Sequence, residues 1–270
     1  MNFRATDTLI EIEDLHFAYG DNRVLRGIDL AVPRGKVVGI LGVSGAGKST
    51  ILKLIGGQLR PRRGRVRFDG QVVHELDPTG LYRLRREIGM MFQAGGLFSD
   101  LSVYENIAFP MRELTDLPED VIHDLVLMKL HAVGLRGASQ LMPNSLSGGM
   151  ARRVALARAI ALDPVLAMYD EPFAGLDPIS LNVIAQLIRR LTDALGTTAI
   201  VVTYDVSETL KMVDYAYFIH DGVVVQAGTP DELEHSLDRS VDQFIHAKAD
   251  GPVAFHYPGD PYRSDLGLKG

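Results

Sequence analysis

The sequence of 270 residues contains no cysteine, which excludes disulfides and thiolate metal sites and is compatible with a reducing cytosol. It also lacks any stretch approaching the roughly 18 apolar residues that a membrane-spanning helix needs. The first residues, MNFRATDTLIEIEDL, contain no apolar signal-peptide core. We therefore expect a soluble chain that reaches a membrane only through a partner protein.

A basic excess is absent as well. The formal net charge is −6 and the sequence pI is about 5.7. Nucleic-acid-binding proteins usually carry a basic balance or a basic stripe, so we expect no nucleic-acid partner. The local exception is RPRRGRVR at residues 60–67. A solvated turn before a strand is the simpler interpretation, and contact with an anionic surface is the alternative.

The chain has the composition of an ordinary folded protein, with 46% hydrophobic residues and no internal repeat. Short strand-like runs come first, and hairpins are predicted around Asp69-Gly70 and Asp221-Gly222. Continuous apolar runs, typical of strands buried on both faces, lie at 36–41, 165–169 and 199–203. Helical patterns lie between these runs, notably at 121–135, 149–162 and 178–195.

Buried strands interleaved with helices indicate an α/β domain with a mainly parallel sheet. Ligands bind such sheets outside the carboxyl ends of the strands. The chemistry is therefore expected just after Leu41, Tyr169 and Thr203.

A phosphate-binding loop follows the first buried strand. GVSGAGKST matches G-x-x-x-x-G-K-[ST] with a strand before it and a helix after it. Glycines allow the backbone N–H groups to converge on a phosphate, and the helix N-terminus adds partial positive charge. Lys48 is expected on the β- and γ-phosphates, and the Ser49 hydroxyl on Mg²⁺. The predicted ATP-binding residues here are Gly42, Val43, Ser44, Gly45, Ala46, Gly47, Lys48, Ser49 and Thr50.

Two carboxylates follow the second buried strand. Asp170 could hold the magnesium ion through water, and Glu171 could orient or deprotonate the attacking water. Together with the phosphate loop, this pair predicts a nucleoside triphosphatase.

LSGGM at residues 146–150 precedes a predicted helix and narrows the class. With this motif the chain resembles the ABC (ATP-binding cassette) ATPases. GVSGAGKST resembles their Walker A loop, LSGGM their signature, VLAMYDE their Walker B motif with the catalytic glutamate, and AGLDP their D-loop. The resemblance implies the ABC ATPase fold: a parallel-sheet core with an antiparallel β subdomain and a helical subdomain at about 95–160. The domain would span 1–246, followed by an extended tail at 247–270.

The same resemblance implies site residues and a dimer. Gln93 would be the Q-loop glutamine and a magnesium ligand beside Ser49 and Asp170. Tyr19 would stack on adenine, although packing alone is the alternative. ATP would lie between Lys48 of one chain and the signature of a second copy. Those signature residues are Ser147, Gly148 and Gly149, with Asp177 in the D-loop and also suited to cap a helix.

Two segments, 131–153 and 250–262, resemble the Mla-type phospholipid-transport ATPases of Gram-negative bacteria. This implies an MlaE-like permease docked in a groove lined by 95–110, an MCE-type lipid carrier protein and a small STAS-domain subunit. It also implies a place at the cytoplasmic face of the inner membrane. The alternatives are a small-solute importer ATPase, a non-transport ABC protein acting on DNA or ribosomes, and a regulatory subunit that no longer hydrolyses ATP.

Tyr204 stands where ABC ATPases usually carry a switch histidine. A tyrosine can donate one hydrogen bond, but it is neutral and lacks a second ring nitrogen. We predict that Tyr204 senses the γ-phosphate in a slower ATPase, with a purely packing role as the alternative.

Overall fold

The computed structural model describes residues 7–93 and 95–253. Within these ranges the strands are β1 (Thr8–Tyr19), β2 (Asn22–Pro33), β3 (Val37–Gly42), β4 (Arg63–Phe68), β5 (Gln71–Val72), β6 (Ile88–Met91), β7 (Leu166–Asp170), β8 (Thr198–Thr203), β9 (Tyr215–His220) and β10 (Val223–Gly228). The helices are α1 (Lys48–Ile55), α2 (Pro78–Arg86), α3 (Val103–Leu114), α4 (Glu119–Ala132), α5 (Gly148–Ala159), α6 (Pro178–Leu195), α7 (Val206–Leu210), α8 (Pro230–Glu234) and α9 (Arg239–Ile245).

The larger sheet has six strands in the order β10-β9-β3-β8-β7-β6. All neighbours are parallel except β9 and β10, which form the hairpin predicted around Asp221-Gly222. The three apolar runs are its central strands, and every residue of β3, β7 and β8 is buried. Their carboxyl ends therefore meet at one edge of the sheet.

A second, antiparallel sheet packs beside the first, with the strand order β2-β1-β4-β5. Tyr217 of β9 joins the two sheets, because its hydroxyl donates to the Ala31 carbonyl at 2.8 Å and accepts from the Ala31 N–H at 2.9 Å. The hairpin predicted around Asp69-Gly70 is present as β4 and β5. The fold class expected from the sequence is confirmed.

The strands of the larger sheet divide the core between their two faces. Tyr169 and Val201 point into one cluster with α3, α4, α5 and α6. Met168 and Ile200 point into the other, with α1 and the antiparallel sheet. This alternation is the period of two that a strand imposes on its side chains.

Two predicted helices end earlier than their apolar patterns. α4 stops at Ala132 because Gly134 adopts a left-handed conformation with φ 70°, the usual backbone just past a helix end. α5 stops at Ala159, so Ile160 and Ala161 are buried beyond the helix rather than on its stripe. In α6 the last residue of the predicted stripe, Leu195, is exposed because it lies in the final turn.

The arginine run at 60–67 faces other protein groups. Arg63 pairs with Asp14 at 2.8 Å, and Arg67 pairs with Glu13 at 2.6 Å. Arg60 and Arg62 donate to main-chain carbonyls. These contacts favour the interpretation as a turn before a strand.

The division at residue 246 stays a prediction, and most of the predicted tail, residues 254–270, lies outside the described residues. In the described ranges, no helix is both long and apolar enough to cross a membrane.

Candidate active site

The phosphate loop connects β3 to α1 and depends on glycine. Gly42, Gly45 and Gly47 have φ of 152°, 81° and 97°, which side chains rarely tolerate. A Cβ on Gly42 would lie 2.2 Å from the main-chain oxygen of Ile219. The conformation of the loop therefore requires glycine at these positions.

Lys48 is the first residue of α1 and is only 6% exposed. Its Nζ donates to the carbonyls of Gly42 at 2.8 Å and Val43 at 3.0 Å, and it lies 3.7 Å from Oε1 of Glu171. Burial lowers the pKa of Lys48, while the carboxylates of Glu171 and Asp170 oppose that shift. The ammonium is thus held at the loop by groups that an incoming phosphate can replace.

Asp170 is the last residue of β7 and Glu171 follows it, and both side chains are buried. Burial raises the pKa of both carboxyl groups. Ser49 Oγ donates to Oδ1 of Asp170 at 2.9 Å. Across the described residues, no group of three His, Cys, Asp or Glu side chains is placed to hold a metal ion. A hydroxyl and a carboxylate this close nevertheless fit Mg²⁺, which takes few protein ligands and keeps water or phosphate oxygens.

Glu171 is held in an unusual backbone conformation, with φ 49°. Its Oε2 accepts the main-chain N–H of Tyr204 at 3.3 Å, and its carboxyl group is hydrogen-bonded to the Thr203 side chain. A non-glycine residue in this region is strained, and such strain is concentrated at functional sites. The ends of β7 and β8 are thereby joined through one carboxylate.

Lys48, Ser49 and Glu171 line one open pocket of about 290 Å³, and Asp170 adjoins it through its hydrogen bond to Ser49. Tyr19, Gln93, Glu171 and Tyr204 come to it from four separate segments. Tyr19 is 46% exposed although its ring meets Phe17 edge-on at 4.9 Å, so one face remains available for stacking. The lining residues are Tyr19, Val24, Ser44, Gly45, Gly47, Lys48, Ser49, Thr50, Gln93, Glu171 and Tyr204.

The signature residues lie elsewhere. Ser147 caps α5, accepting the Met150 N–H at 3.3 Å, and it lines a separate cleft of about 250 Å³ with Gly149 and Ser180. Asp177 caps α6, as predicted, by accepting the N–H groups of Ile179 and Ser180 at 3.0 Å. The described residues that line the phosphate pocket include neither Asp177 nor any signature residue.

An apolar groove of about 450 Å³ lies beside the outer strand β6. Phe98 and Phe109 are 42% and 40% exposed in it, with ring centroids 5.0 Å apart. Arg158 lies over the Phe98 ring, 5.5 Å from its centroid. The lining residues are Arg85, Arg86, Ile88, Gly89, Met90, Phe92, Gly96, Phe98, Phe109, Pro110, Leu114, Arg158, Ala159, Leu162 and Pro164.

Sequence reasoning missed two polar residues, Asn106 and Arg152, whose side chains bond the backbone of loops near the groove and the pocket. Asn106 is completely buried, and its side chain bonds the backbone of Phe98, Leu101 and Ser102. An asparagine among the apolar positions of α3 was a usable signal. Arg152 bonds the main-chain carbonyls of Gln93 and Ala174, and nothing in its sequence neighbourhood indicates those partners.

The fold and the phosphate pocket are those of a nucleotide-binding cassette. A family model described as ABC transporter matches residues 25–174, over half of the chain. The chain belongs to the ATP-binding proteins of ABC transporters.

Its relatives narrow the comparison. The intermembrane phospholipid transport system ATP-binding protein MlaF of Haemophilus influenzae is 54% identical over 258 residues, covering 96% of this chain and 98% of that protein. The protein of the same name from Escherichia coli K12 is 48% identical over 258 residues, covering 96% of each chain.

Solved structures agree in fold. CbiO1 of Clostridium perfringens, part of the ABC transporter complex CbiONQ, matches with a TM-score of 0.80 and 32% identity, covering 90% of this chain and 96% of that one. A dimeric ATP-binding cassette in a post-hydrolysis state, bound to ADP and Pi, matches with a TM-score of 0.75 and 30% identity, covering 82% of this chain and 99% of that one.

Proposed function

We propose that this chain is the ATP-hydrolysing subunit of an ABC transporter that moves phospholipid between the inner and outer membranes. The observation that carries the proposal is one pocket lined by a phosphate loop and the buried Glu171, with the buried Asp170 bonded to Ser49 of that loop, in a chain 54% identical to an intermembrane phospholipid transport ATPase. Family membership supports ATP hydrolysis, and the names of the relatives support the phospholipid.

The loop and Lys48 bind the phosphates of ATP. Backbone N–H groups converge on the β-phosphate, while Lys48 exchanges its carbonyl partners for phosphate oxygens. Ser49 and Asp170 would hold Mg²⁺ with Gln93, and the bound ion would neutralise charge on the β- and γ-phosphates. Tyr19 offers its free face to the adenine ring.

Glu171 is the proposed general base. A carboxyl group whose pKa is raised by burial takes a proton from water more readily than an ordinary carboxylate. The hydrogen bonds from Tyr204 N–H and Thr203 fix its direction in the pocket. The Tyr204 hydroxyl can then donate one hydrogen bond toward the γ-phosphate.

A second copy completes the site. The Ser147 cleft and the phosphate pocket are separate in one chain, so Ser147, Gly148 and Gly149 can reach a nucleotide only from a partner. The dimeric solved cassette supports a pair of copies, which we propose to be arranged head to tail. Asp177, at the start of α6, would lie at the junction of the two copies.

The apolar groove beside β6 is the proposed docking site for the permease. It contains part of the segment 95–110 expected from the sequence, and two exposed phenylalanines suit an apolar partner helix. The proposed partners are an MlaE-like permease, an MCE-type lipid carrier protein and a small STAS-domain subunit. They place the chain at the cytoplasmic face of the inner membrane.

One observation favours a second candidate, a nucleotide-binding regulatory subunit. Tyr204 in the pocket cannot carry a proton as a histidine can. The complete set of Lys48, Asp170 and Glu171 argues for slow hydrolysis instead.

The test purifies the chain with its membrane partners and reconstitutes the complex in phospholipid vesicles. We expect ATP-dependent transfer of labelled phospholipid by the wild type and none by Glu171→Gln. The surface variant Glu234→Gln is the matched control, because that carboxylate is exposed on α8. Hydrolysis that responds to a small polar solute, with no phospholipid transfer, would replace this proposal with the importer alternative.

A further inference from the structure

Arg152 links three segments of the chain: α5, the segment of Gln93 and the loop that follows Glu171. It lies on α5, the helix that Ser147 caps. Its Nη1 donates to the main-chain oxygen of Gln93, and its Nη2 donates to the main-chain oxygen of Ala174 at 3.2 Å. One side chain thus ties the signature helix to the Q-loop and to the loop that follows Glu171.

The Ala174 carbonyl connects Arg152 to the loop that begins at Glu171. The main-chain N–H of Ala174 donates to the Glu171 carbonyl at 3.3 Å, and Oε2 of Glu171 accepts the main-chain N–H of Tyr204 at 3.3 Å. The side chain of Arg152 is only partly exposed and remains a cation, as arginine does in proteins. Arg152 therefore supports two segments that contribute pocket residues, the Q-loop with Gln93 and the loop that begins at Glu171, without lining the pocket itself.

The planar guanidinium suits this position. Its five donors have a fixed fork geometry, so it can bond two carbonyls on different loops at once. A lysine ammonium would keep the charge but is a compact point on a flexible stem. The two properties, charge and fork, can be separated by substitution.

We infer that Arg152 is a positioning residue for ATP hydrolysis, which holds Gln93 in register with Glu171 in the pocket. The inference rests on the proposed function. Loss of the bridge displaces the Q-loop relative to the Glu171 loop while leaving the phosphate loop and Lys48 in place.

The test is a double-mutant cycle in the reconstituted complex, with kcat and KM for ATP measured separately. We expect Arg152→Gln to lower kcat by about tenfold or more, because small misplacements of positioned groups cost that much or more, with KM changed by less than about twofold. Gln93→Ala should cost much less in the Arg152→Gln background than in the wild type, because Arg152 is expected to act through the position of Gln93. Additive effects would overturn the inference.

Further variants separate the causes. Arg152→Lys should behave like Arg152→Gln if the fork is what matters, and full activity of Arg152→Lys would overturn the bridging role. Arg190→Gln is the control, since Arg190 donates only to Gln186 on its own helix at 3.5 Å among the described contacts. Thermal melts confirm that each variant is folded.

Glu171→Gln separates this inference from the proposed function. If the wild type is active, Glu171→Gln inactive and Arg152→Gln unchanged, only the inference fails. If the wild type and Glu171→Gln are equally inactive, the ATPase proposal itself fails.

Discussion

Two buried tyrosines should respond to the same substitution with opposite signs. Tyr169 is fully buried one residue before Asp170, and its hydroxyl has no hydrogen-bond partner among the described residues. Tyr217 is 6% exposed, and its hydroxyl makes two hydrogen bonds to the backbone of Ala31. Replacing each tyrosine by phenylalanine removes one oxygen and leaves the ring in place.

The magnitudes follow from the cost of an unpaired buried polar group, about 1–3 kcal/mol. Tyr169→Phe removes that cost, so the free energy of unfolding should rise by about 1–2 kcal/mol. Tyr217→Phe removes the hydroxyl that bonds the Ala31 N–H and C=O. The free energy of unfolding should therefore fall by about 1–3 kcal/mol. For a domain of this size, each 1 kcal/mol corresponds to about 2–4 °C in Tm.

The assay is urea unfolding followed by circular dichroism, supported by thermal melts. The two variants are controls for each other, because the chemical change is identical and only the hydrogen bonding differs. Loss of stability in Tyr169→Phe, comparable to that in Tyr217→Phe, would refute the reasoning and indicate that the Tyr169 hydroxyl is satisfied in solution.

The remaining predictions concern the pocket and its supports. Burial raises the pKa of Glu171 above its ordinary value of 4.5. Between 4.5 and the raised pKa, the folded protein therefore binds more protons than the unfolded chain. The free energy of unfolding falls as pH rises through this range. Glu171→Gln should therefore melt higher than wild type at neutral pH but not below about pH 4, and a pH-independent difference would contradict this. Gly47→Ala should weaken ATP binding about tenfold or more in a fluorescent-nucleotide titration. The φ of 97° at this position is strained for alanine, and the new Cβ would lie 2.6 Å from the Leu25 side chain. Unchanged affinity would contradict the role given to the loop geometry. Asn106→Ala should cost about 3 kcal/mol in urea unfolding because it leaves several buried backbone groups unpaired, and a loss below about 0.5 kcal/mol would show that this contact is dispensable.

Much of the fold was predictable because local rules agree with one another. The run at 36–41, the glycines after it and the helical spacing beyond Lys48 all indicate strand, loop and helix, and the structure has this order. The two Asp-Gly hairpins were predictable for the same reason, since the turn requires positive φ. Helix ends were less predictable: apolar spacing continued past Ala159 although the helix did not.

The support of the site could not be predicted from the sequence. Arg152 bonds backbone carbonyls 59 and 22 residues away, and backbone acceptors carry no side-chain signal. Every residue that lines the pocket except Val24 was predicted, each from its own motif. Their meeting in one pocket depends on sheet order, which brings β3, β7 and β8 to a common edge. The roles assigned to the individual site residues remain predictions.

The central claim is that this pocket hydrolyses ATP with Glu171 as base and Tyr204 as a weakened sensor. The most direct measurement is steady-state ATP hydrolysis by the complex purified with its membrane partners, for the wild type, Glu171→Gln, Tyr204→His and the surface control Glu234→Gln. We predict slow hydrolysis by the wild type and the control, none by Glu171→Gln and faster hydrolysis by Tyr204→His. If neither the wild type nor Glu171→Gln hydrolysed ATP, that result would contradict the account and favour a nucleotide-binding regulatory subunit.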